Sequence, residues 1–573
     1  MSRRRPAVAS RRRARTTRTR ARRLALLGVF VLVCYGTLLA RAAYLQAVDS
    51  EWLRKRAAGQ GTTTIHLGPL RGDLLDRNRE RLALSATVES VSASPRRIEA
   101  AEDASRQLAR ILKRPSAEFR RTLANGRSFV WVQRWVTPEE ADRVRALTLT
   151  GVNLHPERKR FYPSRDLAAA YLGFAGRDGV GLSGLELTFD NALRGHPTSI
   201  QARRDASGVR MIRFGGRPGD RTGANIVLSL DSRLQHVAER ELDAALARTG
   251  ASHGTLVAID PRNGDILALA ERPSFDPNLF WTQSPQAFRT RAFVHPFEPG
   301  STLKPFVIAV GLEEYAIRPG DQVDCERGSW QVADHVVRDV SAHGKLSIED
   351  VLRVSSNICA AKIAEKIGSK RLVAGLRRLG FGRTTGSGYP GEAAGVVHAI
   401  GERQVVERSN LAFGQGMTAT ALQLATGGAM LANGGRRVWP RLALRMENPE
   451  AGHALDWPSG IGERVLSQAT ARKVVEMMES VVENGTGRRA RIPRYRVAGK
   501  TGTAQKVVRG TYSEDRVVAS FLGIVPARDP RLVIVVVLDE PDPGFGGGSA
   551  AAPVFRKVAS FGMSHLGRAE SAE

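Results

Sequence analysis

Three short runs in this 573-residue chain have the residue types and spacing of an acyl-transfer site built on a serine. Ser301-Thr302-Leu303-Lys304 sets a hydroxyl and an amine three residues apart. Pro299-Gly300 marks a turn, and Pro305 is tolerated in a helix only within its first turn, where backbone donors are unused; Ser301 is therefore expected at or near a helix N-terminus. Residues three apart share a helix face, which brings Lys304 toward the serine hydroxyl. Serine is a weak nucleophile until a base takes its proton. Lysine acts as that base once desolvation and nearby positive charge lower its pKa.

The second run, Ser355-Ser356-Asn357, reads by itself as a helix cap. Beside the first pair, Ser355 can relay a proton to a leaving amine and Asn357 can orient Lys304 and a substrate amide. The third run, Lys500-Thr501-Gly502-Thr503, has the look of an edge strand whose glycines let a substrate backbone approach closely. Lys500 supplies positive charge to Lys304, and Lys500 with Thr501 suits a peptide carboxylate. The backbone N–H groups of Ser301 and Thr503 can form an oxyanion hole. Gly499-Lys500-Thr501 imitates the end of a phosphate loop, but the glycine that loop requires falls at Arg494, so nucleotide binding is excluded. Each run is weak evidence alone, and their joint order makes the signal specific. No His-Glu-x-x-His or paired Cys-x-x-Cys pattern offers a metal site, and no cofactor is expected.

Elements must hold these residues together. A chain this long exceeds one ordinary core of roughly 100–200 residues. From the N-terminal region to about Thr222 it is polar and arginine-rich, with helical stretches at Ala101–Leu112 and Pro138–Leu147. At Ala224–Asp231 a strand pattern leads into a helix over Ser232–Ala247, and the domain boundary is expected there. Residues 255–259 and 265–270 read as a hairpin around Asp260-Pro261-Arg262-Asn263-Gly264. Val517–Val525 and Leu532–Leu538 form a second antiparallel pair, and helical patterns fill the interval between the hairpins. Strands at both ends with helices between predict an α+β domain, one antiparallel sheet covered by helices.

The net charge of +29 suggests nucleic acid, yet eleven arginines and no acid lie in residues 1–23, leaving +18 for the rest. That tail abuts the uncharged run Leu24–Ala40, at the short end of the roughly 17–25 residues that span a bilayer. With Arg41 snorkelling and Tyr44 as interfacial anchor, residues 24–45 are expected to cross the membrane once, with the tail cytoplasmic and the remainder exported. Ala40-Arg41-Ala42 also has the form of a signal cleavage site, but the apolar run exceeds the roughly 7–15 residues of a usual signal core. Cys325 and Cys359 could pair in an oxidising compartment, although sequence separation says nothing about geometry.

The motifs resemble those of penicillin-binding proteins. Phe297-Glu298-Pro299-Gly300-Ser301 with Lys304-Pro305 is similar to the active-site run of class B members, monofunctional peptidoglycan D,D-transpeptidases. Arg71-Gly72 with Asp76-Arg77, Arg160-Phe161-Tyr162-Pro163 and Gly184-Leu185-Glu186 resemble motifs of their pedestal domain. Arg79 departs from the glycine usual there, which questions that turn's geometry. The resemblance implies a cytoplasmic tail over 1–23, an anchor over 24–45, a pedestal over 46–223, a transpeptidase domain over 224–565 and a tail over 566–573. It also implies Ser301, Lys304, Ser355 and Asn357 as catalytic residues, and Lys500, Thr501, Gly502 and Thr503 as substrate-binding ones. Expected ligands are D-Ala-D-Ala stem peptides and β-lactams. Expected partners are a polytopic glycan polymerase of the shape, elongation, division and sporulation family and other division proteins. Lys500–Lys506 and Val91–Pro95 look more like the septal branch than the elongation branch. Class A β-lactamases share the three runs, but their Glu-x-x-x-Asn element is missing between residues 357 and 500; a β-lactam sensor needs a cytoplasmic effector that the arginine tail does not supply.

Overall fold

The computed structural model describes residues 9–67, 69–204, 210–213, 222–448 and 452–570. Two compact units divide the chain, one from residues 1–68 and 197–218, the other from residues 69–196 and 219–573. In the first unit a helix runs over Ala9–Ala47, and Arg20–Ala47 is the one stretch among the described residues long and apolar enough to cross a membrane. It contains the expected span 24–45, and the Arg41 guanidinium lies over the Tyr44 ring, 5.3 Å from its centroid. The same unit holds a helix at Ser50–Gly61 and a three-stranded antiparallel sheet of Thr62–Leu67, Thr198–Arg204 and Arg210–Arg213.

The larger unit begins with the pedestal. Arg81–Ala93 pairs antiparallel with Val130–Val136 and with Val152–Phe161. The helices Ala101–Leu112 and Pro138–Ala146, both where the apolar spacing predicts, bury Leu108, Leu112 and Val144 against this sheet. The second helix starts on a reciprocal cap: Thr137 Oγ1 accepts from Glu140 N–H, and Glu140 Oε2 accepts from Thr137 N–H.

Three pedestal motifs far apart in sequence meet on one buried carboxylate. Arg71 Nε donates to Glu186 Oε2 at 2.6 Å and Arg160 Nε to Glu186 Oε1 at 2.6 Å, while Tyr162 OH donates to Glu186 Oε1 at 3.2 Å. Burial would push the Glu186 carboxyl up, but the two guanidiniums outweigh it and hold it below the usual range.

The strand Asn225–Leu228, expected to open the second domain, lies between Leu74–Leu75, which it pairs with in parallel, and Ala443–Asn448, which it pairs with antiparallel. One sheet therefore crosses the expected boundary at residue 224. Arg79 sits on the same seam. It adopts the left-handed region (φ +68°), the conformation for which a glycine is favoured, and its guanidinium grips both oxygens of Glu447 at 2.7 and 3.0 Å.

The sheet that carries the site has five antiparallel strands: β1 (His253–Ile259), β2 (Ile266–Arg272), β3 (Ala498–Val508), β4 (Thr511–Val525) and β5 (Leu532–Asp539). Their order is β2-β1-β5-β4-β3, which leaves β3 at an edge, as its sequence suggests. Alternate residues split between two cores. Leu256, Ala258, Ile534 and Val536 pack beneath α1 (Ser232–Thr249) and the C-terminal helix Ala551–Glu570. Val257, Ile259, Val533 and Val535 face the other core, with Phe306 and Ala425. Both faces being buried explains the nearly continuous apolar run of β5. Helices α2 (Lys304–Glu313), α3 (Ile348–Val354), α4 (Asn357–Ile367), α5 (Ala421–Ala432) and α6 (Gln468–Glu483) complete the α+β domain.

Candidate active site

Ser301 lies in a 3₁₀ turn, Gly300–Leu303, that runs directly into α2, and Pro305 falls in the first turn of that helix as expected. Gly300 is left-handed (φ +56°) and its N–H donates to Gly414 O at 3.1 Å. A second tie holds the approach to the turn, a two-way backbone bridge between Phe297 and Ala419.

Lys304 is fully buried, and its amine turns to the second motif. Nζ donates to Ser355 O at 2.5 Å and to Asn357 Oδ1 at 2.8 Å, and lies 3.3 Å from Ser355 Oγ. Spacing alone predicts contact between Lys304 and the Ser301 hydroxyl, but that hydrogen bond does not form. The stronger acceptors of the Ser355–Asn357 turn take the amine, and the Ser301 hydroxyl makes no hydrogen bond among the described residues.

The Ser355-Ser356-Asn357 run is both cap and site. Ser355 ends α3 in the left-handed conformation (φ +65°), a strained setting for a residue with a Cβ, and Ser356 Oγ caps α4 through Cys359 N–H at 3.0 Å. Ser355 Oγ accepts from Lys500 Nζ at 2.8 Å, so it stands between the two lysines. Burial, with Lys500 adding repulsion, holds the Lys304 amine well below the usual lysine range; Asp339 opposes this. Burial alone pushes Lys500 down to about 7. A neutral amine at Lys304 can accept a proton, and Ser355 can pass one between the lysines.

On β3, Lys500 and Gly502 face inward while Thr501, Thr503 and Gln505 line a cavity of about 770 Å³ that also contains Ser301, Ser355 and Asn357. Lys500 pairs with Leu522 and Gly502 with Ser520 on β4, so among the described residues the outer backbone edge of β3 has no ladder partner. Gly502 has a packing reason to be small besides the expected close approach of substrate. A Cβ there would lie 2.4 Å from Ser520 Oγ and 2.9 Å from Thr302 Cγ2, so its smallness lets the serine turn pack against the strand. Thr501 Oγ1 is 2.7 Å from Thr486 Oγ1, and Thr503 Oγ1 accepts from Gly547 N–H at 3.1 Å.

Two groups of residues around the cavity escaped the sequence. Asp339 follows the hairpin of Ser329–Val332 and His335–Arg338, and its carboxylate accepts from Ser356 Oγ at 2.6 Å, Asn357 N–H at 2.5 Å and Ile358 N–H at 3.1 Å. Arg338 O accepts from Asn357 Nδ2 at 3.1 Å. Nothing in the local sequence marks that loop aspartate as the cap of a helix 18 residues later. The glycines of the loop Gly546–Gly548 close another wall, and an Nε–H···O bond to Gly485 holds Arg488 beside it. Cys325 and Cys359 form a disulfide, with Cα atoms 5.1 Å apart, that staples the segment before the hairpin to α4. No cluster of metal-ligating side chains exists among the described residues.

Two buried lysines joined through Ser355, beside Ser301 at the edge of an antiparallel sheet, define an acyl-serine transferase of the penicillin-recognising class. Residues 254–560 match the penicillin-binding protein transpeptidase domain and residues 66–228 the penicillin-binding protein dimerisation domain. The chain is 32% identical to a probable peptidoglycan D,D-transpeptidase, PenA, of Neisseria meningitidis, over 95% of this chain and 93% of that protein. It is 33% identical to the peptidoglycan D,D-transpeptidase FtsI of Escherichia coli, over 94% and 90%. Penicillin-binding protein 3 of Mycobacterium tuberculosis, solved in complex with aztreonam, superimposes with a TM-score of 0.68 at 28% identity, over 88% of this chain and 97% of that one. The chain belongs to the class B penicillin-binding proteins, the serine-type peptidoglycan D,D-transpeptidases.

Proposed function

We propose that this enzyme crosslinks stem peptides during septal wall synthesis, with Ser301 as nucleophile and Lys304 as its base. The observation that carries the assignment is the convergence of two buried, pKa-depressed lysines on Ser355, beside Ser301. The neutral Lys304 amine takes the Ser301 proton as Oγ bonds to the penultimate D-alanine carbonyl. The N–H groups of Ser301 and Thr503 hold the resulting oxyanion. Collapse breaks the amide C–N bond, and the proton returns through Ser355 to the leaving D-alanine amine. Lys500 and Thr501 hold that residue's carboxylate, and Asn357 keeps Lys304 and the donor amide in register. An acceptor amine then attacks the acyl-serine, the C–Oγ bond breaks, and Ser301 recovers its proton.

A β-lactam acylates the same serine, because its strained amide imitates the D-Ala-D-Ala bond. Its leaving amine stays tethered, so the adduct is long-lived. The septal assignment draws on Lys500–Lys506, Val91–Pro95 and the likeness to FtsI. A polytopic glycan polymerase and other division proteins are its partners, and the helix at Arg20–Ala47 is a single-pass anchor that places the catalytic domain outside the cytoplasm. Mapping a penicillin reporter to its modified residue tests the chemistry: a stable adduct at Ser301, lost in Ser301→Ala, is expected, whereas rapid turnover of penicillin would mark a β-lactamase. A tagged chain spread along the sidewall and missing from division sites would overturn the septal role in favour of elongation.

A further inference from the structure

The active-site cavity is lined by three arginines, Arg338, Arg488 and Arg489, and by a single acid, Asp339. That acid is spent on the N-terminus of α4. Arg488 Nε donates to Gly485 O at 3.2 Å, and none of the three guanidiniums forms an ion pair with a described residue. Ion pairing is selective in this domain, Arg353 being matched by Asp350 and Arg378 by Glu314, and what sets these three apart is that they share one concave wall. Unpaired arginines on a concave wall attract anions and are shaped to hold a carboxylate with two parallel hydrogen bonds.

Their place along the cavity selects which carboxylate. Arg488 and Arg489 follow Thr486, whose hydroxyl touches Thr501, so they stand at the Thr501 end of β3, and Gln505 lies at the other. On the mechanism above, the donor's terminal carboxylate occupies Lys500 and Thr501, and the rest of the donor runs toward Gln505. The arginines therefore lie beyond the end of the donor, on the side from which D-alanine leaves. An amine that reverses that departure must enter from the same side.

We propose that Arg488 and Arg489 form the acceptor subsite, which recognises a stem peptide by a carboxylate near its attacking amine. The inference rests on the transpeptidase reading of this cavity. Its chemistry balances simply: the acceptor nitrogen bonds to the acyl carbon, the C–Oγ bond to Ser301 breaks, and the amine's proton returns to Ser301 through Lys304. The arginines also keep the acceptor amine neutral, since nearby positive charge disfavours an ammonium ion. Two carboxylates fit this chemistry, that of a diaminopimelyl residue at the amine-bearing carbon and that of the γ-linked D-glutamyl residue.

The test uses the full-length protein in detergent with an N-acyl-D-alanyl thioester donor. Three acceptor tripeptides are compared: the diaminopimelate free acid, its carboxamide at the amine-bearing carbon, and the form amidated on D-glutamate. The readout is the ratio of crosslinked to hydrolysed product from one acyl-enzyme, which does not depend on how fast that acyl-enzyme forms. The free acid is expected to exceed one amidated acceptor by about tenfold, and the weaker of the two identifies the carboxylate read. In Arg488→Ala/Arg489→Ala the difference should collapse, and in Arg488→Lys/Arg489→Lys it should largely return. Equal ratios for all three acceptors in the native enzyme, or an undiminished preference in the double alanine variant, would overturn the subsite alone. Failure of the native enzyme to form any acyl-enzyme on Ser301 would overturn the transpeptidase reading, and the subsite with it.

Discussion

Replacing Asp339 separates the cap it provides from the charge it carries. Asp339→Ala removes the acceptor for two backbone N–H groups at the start of α4 and for Ser356 Oγ. Loss of an N-cap costs about 0.5–2 kcal/mol of stability. The larger effect should fall on rate, because Asn357 and the Ser355 carbonyl together position the Lys304 amine. A displacement of about 1 Å in such a constellation costs on the order of 10² in rate. Asp339→Asn keeps an acceptor oxygen for the helix but removes the negative charge. That charge favours protonated Lys304, so its loss lowers the lysine's pKa further and extends the neutral, competent amine to lower pH. The acid limb of the acylation profile, which belongs to the coupled Lys304–Lys500 pair, should therefore move toward acid. Stopped-flow acylation by a fluorescent penicillin across pH reads both effects. An alanine variant that acylates within twofold of native, or an asparagine variant whose acid limb moves to higher pH, refutes the reasoning.

Three other outcomes follow from the geometry. The folded-state pKa of Lys500 is about 7 against 10.5 in a free side chain, so the unfolded chain binds more protons between these values and stability rises with pH across that window. Lys500→Met should abolish acylation yet unfold at higher temperature than native at pH 6, with the gap closing as pH approaches 10.5; a gap independent of pH contradicts the burial of this amine. Glu186→Gln strips the charge shared by Arg71 and Arg160 and should cost about 3–5 kcal/mol, visible as a clear fall in denaturation midpoint, because buried Arg160 loses its counter-ion and buried Arg71 is left with Asp190 alone. Arg79→Gly relieves a left-handed backbone worth about 1–2 kcal/mol and gives up an exposed ion pair worth about 0.2–1 kcal/mol, so it should leave stability equal or slightly higher; a drop above 1 kcal/mol would show that the grip on Glu447 dominates.

The legible part of this protein is what local pattern dictates. Ala101–Leu112 and Pro138–Ala146 follow apolar spacing and a Thr-x-x-Glu cap, and β5 declares itself by seven buried residues in succession from Leu532 to Leu538. Pro305 locates the serine at a helix start for a reason internal to the helix. What was not legible is set by partners distant in sequence. Lys304 turns to Ser355, 51 residues on, and not to the hydroxyl three residues away. Gly502 is small because Thr302 and Ser520 crowd it, which no strand pattern shows. Ser355 carries no mark of its left-handed backbone, and Asp339 looks like any loop aspartate.

The Cys325–Cys359 bond lies two residues from Asn357, on the helix whose first turn presents that side chain to Lys304. Thiols in a reducing cytoplasm do not pair, so a nascent or retained molecule lacks this tie between the hairpin segment and α4. On the exported topology proposed above, that tie closes only on the far side of the membrane, where oxidant and substrate are found together. On that topology, the covalent structure itself gives a reason for the chemistry to begin only after delivery.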